Sequence, residues 1–341
     1  MGLRGALWAR ALAFALGMLA LGAPASLAAA AASAAAASDG LGPVLWRNTS
    51  PVSATLGLPR AASAVLPAPG VLAADLALDW ASDFTTNQRG DASVRLDGES
   101  LVGTLRLERG LAPGWAASLT VPFGTRGGGV LDQPIDGWHN LWGLPEGGRD
   151  RAPTGAVSLF ASEAGVSALA VDQRRSSLGD VQLGLARTLI DDGASVLTLR
   201  AQLELPTGSA SELWGSDAWE GSLALALARP LGPLALTLQG GVLAGTASDF
   251  APFDRKDLAG FGSLALAWPL SPRWSLLGQL DGHSALLDAP LTPLGGWSVQ
   301  GLLGLRWRSS GAFAVDFGFS EDLRPGSASD FSLFATLRYR P

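Results

Sequence analysis

Few residues of this sequence combine the types and the spacing that catalysis needs. The chain has no Cys and two histidines, His139 and His283. The run Asp281-Gly282-His283-Ser284 contains the groups of an acyl-transfer site, because a Ser nucleophile needs a His base that a third group orients. On a β-strand, however, successive side chains point to opposite faces. His283 and Ser284 therefore cannot pair on one strand.

A second candidate site combines His139 with Asp132 or Asp136, but no motif places a Ser beside them. Two histidines cannot form a three-His metal site, and the missing Cys excludes thiolate zinc sites and disulfides. We therefore predict that the protein is not an enzyme and holds no metal and no cofactor.

The composition describes an ordered chain without a nucleic-acid footprint. Among 341 residues, 48% are hydrophobic and 16% are charged. Thirty acidic residues against 24 basic ones give a net charge of −6, and nucleic-acid binders carry basic patches instead. The high apolar content and the small net charge also argue against disorder.

The N-terminus has the features of a secretory signal peptide. Arg4 and Arg10 precede an apolar run from Ala11 to Leu21, and small residues follow. We predict a signal peptide at residues 1–28, with cleavage between 22 and 38. We expect residues 29–69 to form a periplasmic segment and residues 70–341 to form one exported domain.

The exported part alternates apolar and polar residues with a period of two. Leu197, Leu199 and Leu203 share one face, whereas Arg200 and Glu204 share the other. Twelve such segments have about 9–13 residues, a length typical of membrane barrels rather than soluble sheets. They lie at 72–80, 101–108, 115–123, 179–189, 195–205, 218–229, 233–244, 258–268, 273–283, 296–308, 311–320 and 330–340.

The connections alternate between short and long. Turn residues such as Pro113-Gly114 and Asp192-Gly193 occupy the short ones. The long ones lie at 81–92, 124–178, 206–217, 245–257, 284–295 and 320–329. This alternation predicts an all-β, closed antiparallel transmembrane β-barrel of about 12 strands, with short periplasmic turns and long outer loops. Because both termini must be periplasmic, loop 124–178 can add two strands, making 14, but never one.

Aromatic residues support a membrane-spanning barrel. Trp297 and Trp307 share one parity and lie ten residues apart. Ten tilted residues cross about 25 Å, the height of the apolar band of such a barrel. The same parity directs Leu303 towards lipid and Leu302 towards the lumen.

The inward positions carry charges of both signs, so we predict a polar lumen. These charges either form salt bridges that fill a narrow barrel, or line a permeation path that selects solutes. The predicted lumen residues are Asp75, Asp79, Arg106, Arg200, Glu204, Arg306 and Arg308.

Loop 124–178 is the most distinctive connection, because long irregular segments in compact domains are usually functional. We predict that residues 124–155 fold into or over the outer mouth. Alternatively, the aromatic residues of this loop only pack a lid. Arg149, Arg151, Arg174 and Arg175 could meet lipopolysaccharide phosphates. The predicted ligand-binding or gating residues are Asp132, Trp138, His139, Trp142, Arg149 and Arg151.

Several short motifs follow one another along the chain in a distinctive order. They include Arg47-Asn48, Pro122-Phe123, Gly143-Leu144-Pro145, Leu178-Gly179-Asp180, Leu205-Pro206-Thr207-Gly208, Gly215-Ser216 and Glu321-Asp322. In this order they resemble a family of proteobacterial outer-membrane proteins, the domain of unknown function 3187 family. The resemblance covers about residues 43–341 and implies an outer-membrane barrel without an established activity. The Leu-Gly-Asp and Pro-Thr-Gly motifs are also similar to the outer-membrane family linked to meta-cleavage phenol degradation, whose members are thought to pass hydrophobic compounds.

From these observations we predict a barrel in the outer membrane of a Gram-negative bacterium. The leading hypothesis is a narrow gated channel or binding barrel for small solutes, hydrophobic ones among them. A structural or surface-interaction barrel with a closed lumen is the alternative, and a lipid-modifying enzyme is the second alternative. The expected partners are outer-membrane lipid and lipopolysaccharide, the barrel assembly machinery and a small solute, but no nucleic acid.

Overall fold

The chain folds almost entirely into β-strands. A computed structural model describes residues 42–135, 137, 153–246, 252–324 and 327–341. A short helix, α1 (Thr292–Gly295), lies in an outer loop, and 3-10 turns lie at Ser53–Thr55 and Ala210–Glu212. No helix within the described ranges is long and apolar enough to span a membrane. The strands are β1 (Leu72–Arg89), β2 (Ala92–Ala112), β3 (Trp115–Gly127), β4 (Ser158–Glu163), β5 (Val166–Val171), β6 (Arg175–Leu178), β7 (Val181–Asp191), β8 (Val196–Leu205), β9 (Glu220–Leu231), β10 (Leu234–Gly245), β11 (Asp254–Arg255), β12 (Leu258–Pro269), β13 (Trp274–His283), β14 (Leu287–Asp288), β15 (Ser298–Arg308), β16 (Phe313–Asp322) and β17 (Phe331–Tyr339).

Twelve antiparallel wall strands form a closed barrel, which confirms the predicted fold class. The strands β6 and β7 both pair with β3 and together make one wall strand. Pairing of β1 with β17, from Ala74 opposite Tyr339 to Ser82 opposite Phe331, closes the wall. The hairpin β4–β5 pairs with the outer part of β2 instead of entering the wall, so the strand count stays at twelve.

The sequence pattern predicted a long outer loop at 81–92 as the first outer connection, and this prediction is wrong. The strands β1 and β2 continue to a tight turn at Gly90 and Asp91, where Gly90 has a φ of +63°. This extension rises beyond the barrel wall. It is a hairpin rather than a loop because Ala92, Val94 and Leu96 bury their side chains in an apolar cluster at the outer mouth.

The outward face of the wall is apolar and alternates with the inward face. Leu303 is 44% exposed, whereas its neighbour Leu302 is 5% exposed and faces the lumen. Aromatic residues lie near both ends of this face. Trp274 lies opposite Trp307 near the periplasmic end, and the Arg324 guanidinium lies 4.0 Å from the ring centre of Trp297 at the outer end. This distribution is typical of a membrane-spanning barrel.

The lumen contains an N-terminal segment, residues 42–68, which we call the plug. Its ascending limb (42–52) rises from the periplasmic end, turns at Ser53–Thr55, and its descending limb (56–68) returns. At the base of the descending limb, Pro69 bridges Gly110. Residues 29–69 were predicted to form a periplasmic segment outside the barrel. The described part instead lies inside, because wall side chains bind its backbone and bury its apolar residues. The predicted signal peptide lies outside the described residues.

An apolar cluster, which we call the cap, closes the outer mouth. The tip of the plug contributes Val52 and Leu56 to it, the extended hairpins contribute from one side, and the outer loops cover it. The plug is therefore enclosed from above by apolar packing. The buried cap residues are Val52, Leu56, Ala92, Val94, Leu96, Leu159, Ala161, Val171, Leu213, Leu243, Phe253, Ala259, Leu286, Leu287, Leu291 and Leu294.

Candidate functional site: the plugged lumen

Two glutamines of the wall bind the plug backbone at mid-height. The Val44 N–H donates to Gln279 Oε1 at 2.8 Å, and Gln279 Nε2 donates to the Val44 carbonyl at 3.2 Å. On the descending limb, the Ala62 N–H donates to Gln239 Oε1 at 2.9 Å, and Gln239 Nε2 donates to the Arg60 carbonyl at 3.4 Å. An amide side chain supplies both a donor and an acceptor, so each glutamine satisfies the backbone that a neighbouring strand would otherwise pair.

A buried ion pair joins the plug to the wall. Arg60 Nη1 lies 2.8 Å from Asp79 Oδ2 on β1, and Arg60 Nη2 donates to Thr104 Oγ1 at 2.8 Å. Arg60 also donates to the Leu45 carbonyl at 3.0 Å, which ties the two limbs together. Arg47 stabilises the turn from within, donating to the carbonyls of Ala54 at 2.8 Å and Leu58 at 3.2 Å.

Arginines of the wall hold the two ends of the plug near the periplasm. Arg306 bonds to both oxygens of Asp316, at 2.5 and 2.8 Å, and donates to the Gly42 carbonyl at 3.0 Å. Arg338 also bonds to Asp316 and donates to the Pro43 carbonyl. Because the carboxylate is shared, spare donors remain to bind backbone oxygens of the plug.

The descending limb is held in the same way. Arg200 donates to the Ser63 carbonyl at 3.0 Å through Nε and forms an ion pair with Glu108 at 2.7 Å. Arg106 also pairs with Glu108, at 3.1 Å. Asp75 receives two bonds from Arg340, at 2.7 and 2.9 Å. These pairs form a belt of alternating charge around the periplasmic half of the lumen.

The structure brings most predicted lumen residues into contact with the plug or with each other. Asp79, Arg200 and Arg306 bind the plug directly, Asp75 and Arg106 pair within the belt, and Glu204 accepts from Gln182 at 2.5 Å. Arg308 is half-buried at the periplasmic end of β15. The plug residues that bind the wall were not predicted from the sequence. Within the plug, Arg47-Asn48 was recognised only as a motif of the family resemblance.

The predicted gating loop is described only in part. Asp132 accepts from the Gly155 N–H at 2.8 Å, and Leu131 donates its N–H to Glu99 at 2.5 Å on the outer extension of β2. Gly129 lies so close to Glu99 that a Cβ there would overlap the carboxylate. Within the described residues, the plug occupies the lumen. The remaining predicted residues of this loop, Trp138, His139, Trp142, Arg149 and Arg151, lie outside the described residues.

The candidate catalytic group of β13 is not assembled. His283 uses Nδ1 on the Ser284 carbonyl at 2.8 Å and Nε2 on Asn48 of the plug at 2.9 Å. The hydroxyl of Ser284 instead accepts from the Gly260 N–H at 2.9 Å, and Ser284 is exposed. The ring nitrogens of His283 therefore face a backbone oxygen and the plug rather than a nucleophile. Within the described ranges, no cluster of three His, Asp or Glu residues could hold a metal ion.

Three of the separated motifs meet at one carboxylate in the outer part of the wall. Asp180 accepts from the N–H groups of Thr207 at 2.8 Å, Gly208 at 2.6 Å and Ser216 at 2.8 Å. Asp180 directly precedes the wall strand β7, and its three donors lie in the outer loop after β8. Their hydrogen bonds therefore hold that loop inwards, against the wall. The motifs Leu178-Gly179-Asp180, Leu205 to Gly208 and Gly215-Ser216 thus have a shared structural role.

One apolar contact accompanies the polar ones. Trp46 is fully buried on the ascending limb, and its ring centre lies 6.1 Å from that of Phe334 on β17. Val44, Leu277 and Leu302 belong to the same cluster. The limb therefore presents an apolar side to β13, β15 and β17, while its backbone is bound by polar wall groups.

Three small cavities lie between the described parts of the plug and the wall. Their volumes are about 10, 40 and 20 Å³. A single water needs about 10–15 Å³, so these spaces hold water but not an organic solute. Arg60 and Gln239 border the largest, whereas Asp281 and His283 border the 20 Å³ cavity. The described lumen is closed by the plug.

Comparisons with known proteins give a family and several similar structures. The profile of the family described as "Protein of unknown function (DUF3187)" matches residues 20–340. The COG4313 outer membrane channel from Pseudomonas putida F1 is similar in structure, with a TM-score of 0.56 and 18% identity over 81% of this chain and 96% of that one. The NanC porin has a TM-score of 0.43 and 8% identity, covering 80% of this chain and 100% of that one. The Pseudomonas putida toluene transporter TodX has a TM-score of 0.38 and 13% identity, covering 86% and 98%. No curated protein sequence matches the chain.

Proposed function

The chain belongs to the DUF3187 family, and from that premise we propose that it is an outer-membrane channel for small polar solutes, closed by its own plug. The observation that carries this proposal is the plug, a segment outside the wall that fills the lumen. A barrel that only needed stability could fill its lumen with wall side chains, as small barrels do. A separate segment such as the plug, in contrast, can leave the lumen while the wall stays intact.

The plug can leave without unpairing the wall. Each wall strand is bound by a continuous ladder of backbone pairs. The plug is bound instead by scattered side-chain contacts, such as those of Gln239 and Gln279. Water can replace these contacts one by one, because hydrogen bonds exchanged with water contribute only about 1 kcal/mol each. The wall would keep its closure while the lumen opens.

The wall that the plug covers favours polar solutes over hydrophobic ones. At mid-height it presents Asp79, Thr104, Gln182, Gln239 and Gln279, all buried against the plug or each other. Removing the plug would expose these groups to the lumen, where they would bind water and hydrogen-bonding solutes. Hydrophobic compounds, which the weaker family similarity implied, would find apolar wall groups at this height on one side of the lumen, at Leu277, Leu302 and Phe334.

A crosslink between plug and wall tests this function directly. The hydroxyl oxygens of Thr49 and Ser329 lie 3.3 Å apart, and the native chain has no Cys. In the double variant Thr49→Cys with Ser329→Cys, we expect single-channel current in planar bilayers after reduction and no openings after oxidation. The cysteine-free protein is the control for effects of the reductant.

Removing the plug is the complementary experiment. A chain lacking residues 43–66 should conduct continuously, and heat-modifiable gel mobility would show whether it still forms a barrel. A folded barrel that carries no current without its plug would overturn the channel.

A closed structural barrel is the second candidate function, and the cap favours it. Sixteen buried apolar residues seal the outer mouth, and solute passage requires them to separate. In that case neither reduction nor deletion of the plug produces current, and the outer loops carry the activity. We infer for either function that exposed Arg174 meets outer-membrane lipopolysaccharide and that the barrel assembly machinery inserts the chain.

A further inference from the structure

We propose that Asn48 and His283 form a pH-sensitive latch that holds the plug in neutral medium and releases it in acid. The proposal rests on the channel function above, and it names the regulation of that channel. It stands on the hydrogen bonds around two side chains, which determine where the protons lie.

The backbone determines the orientation of the Asn48 amide. Its Oδ1 accepts from the Ser50 N–H at 3.0 Å, and its Nδ2 donates to the Ser327 carbonyl at 2.8 Å. A backbone N–H only donates and a carbonyl only accepts, so exchanging the two amide atoms would break both bonds. The atom that faces His283 Nε2 at 2.9 Å is therefore Nδ2, a donor.

The protonation state of His283 follows from its two partners. Nδ1 lies 2.8 Å from the Ser284 carbonyl oxygen, which only accepts, so Nδ1 carries a proton. Nε2 faces a donor and must be the unprotonated acceptor. The ring is therefore neutral in the closed state, because a second proton on Nε2 would direct an N–H at the N–H of Asn48.

Two ionisable residues line the cavity beside this bond, and a third lies next to a lining residue in the wall. Arg47 of the plug and Asp281 of β13 border a cavity of about 20 Å³ together with His283. Asp322 of β16 lies opposite Gln300 in the wall. The other residues named here carry no charge: Phe261 and Ser263 on β12 and Gln300 on β15 line the cavity, and Ser298 on β15 and Ser327 in the outer loop bind Asn48.

In the closed state a proton can reach the His283 ring, but the neighbouring Arg47 cation disfavours a charged ring. The cavity has room for one water, which can deliver a proton. The donors of Arg47 are bound to plug carbonyls, so this cation stays near the ring. Asp281 borders the same cavity, so a variant at this position is needed to separate its titration from that of His283.

The position of the latch makes it effective. Asn48 lies on the ascending limb below the tip of the plug, and it binds β13, β15 and the outer loop at once. Losing this group frees the part of the plug that packs under the cap. Because a protonated ring cannot accept from Asn48, we expect release to increase as the pH falls from about 7.5 to 5.

A single cysteine at the plug tip reports release independently of current. Ser53→Cys changes a buried hydroxyl to a thiol in a chain without other cysteines, and Ser211→Cys in the exposed outer loop is the matched reference. The ratio of their maleimide labelling rates cancels the intrinsic pH dependence of thiols. From about pH 7.5 to 5 we expect this ratio to rise about tenfold, the equivalent of one lost hydrogen bond.

Two variants on β13 assign the effect to His283. His283→Gln offers Asn48 an acceptor that does not titrate, so the ratio should stay constant with pH. Asp281→Asn removes the other titratable group of the cavity and should keep the rise. A rise that persists in His283→Gln, or is absent from the native plug, overturns the latch. A rise in labelling without any current at either pH supports the latch and contradicts the channel.

Discussion

Arg60 of the plug and Asp79 of β1 form an ion pair 2.8 Å long that is almost completely withdrawn from solvent, with 6% and 1% of their side chains exposed. The same guanidinium reaches Thr104 on β2 and the Leu45 carbonyl on the ascending limb. One side chain thus joins both limbs of the plug to two neighbouring wall strands. Its partner Asp79 belongs to the wall and stays in the lumen if the plug leaves.

Removing one member of this pair should release the plug. A buried charge without its partner costs about 3–5 kcal/mol, so Arg60→Gln should favour the state in which water reaches Asp79. We expect faster labelling of Ser53→Cys at neutral pH and a higher open probability. Asp79→Asn should have a similar effect. The double variant Arg60→Gln with Asp79→Asn should release the plug less than the two single effects added together. Effects that simply add would show that the two side chains act independently.

Neighbouring leucines on β15 should respond differently to the same substitution. Leu303 faces lipid, so Leu303→Arg should destabilise the folded barrel by about 2–4 kcal/mol, as charges near the membrane centre do. Leu302 packs with Val44 and Trp46 of the plug. Leu302→Arg should therefore dislodge the plug more than it destabilises the wall. Urea titrations in lipid measure the first effect and Ser53→Cys labelling the second. The opposite assignment of the two effects would contradict the register of β15.

The carboxylate of Asp180 should determine the position of the outer loop after β8. Hydrogen bonds to a charged group contribute about 1.5–3 kcal/mol each, and Asp180→Ala removes the acceptor of three backbone donors. We expect loop 206–217 to become sensitive to protease on intact membranes while barrel mobility on gels is unchanged. Asp217→Asn is the matched control, because Asp217 accepts one bond from Ala210, at 3.2 Å. Equal sensitivity of both variants would argue against a special role of Asp180.

The last strand should be essential for assembly. The strand β17 pairs with β16 on one side and β1 on the other, so removing residues 331–341 leaves two open edges. We expect the truncated chain to lose heat-modifiable mobility, whereas removing Pro341 alone should preserve it. A truncated protein that still migrates as a compact barrel would show that the wall closes without β17.

The wall of the barrel could be predicted from the sequence because the information is local. A strand with one face in lipid and one in a polar lumen must alternate, and the positions of Leu197, Leu199, Arg200 and Glu204 express that requirement directly. Twelve such segments, with the alternation of short and long connections, determined the fold class and the strand count. The same rule was wrong at 81–92, where polar residues continue a hairpin beyond the wall.

The occupant of the lumen could not be predicted in this way. Residues 42–68 carry no strand or helix period, because the plug is held by individual wall side chains such as Gln279 and Asp79 rather than by a regular backbone ladder. The contacts of Val44 with Gln279 and of Asn48 with His283 each span 235 positions of the chain. Similarly, the motifs at 178–180, 205–208 and 215–216 only show their shared role when Asp180 receives their backbone donors.

The sequence by itself determined that the chain forms a membrane-type barrel with a charged lumen, because burial in lipid imposes a pattern that any single strand reveals. Only the tertiary structure decided that the plug fills this lumen and that His283 is neutral against Asn48. Those outcomes depend on closure of the barrel, which brings distant residues within hydrogen-bonding distance and excludes the water that would otherwise bind them.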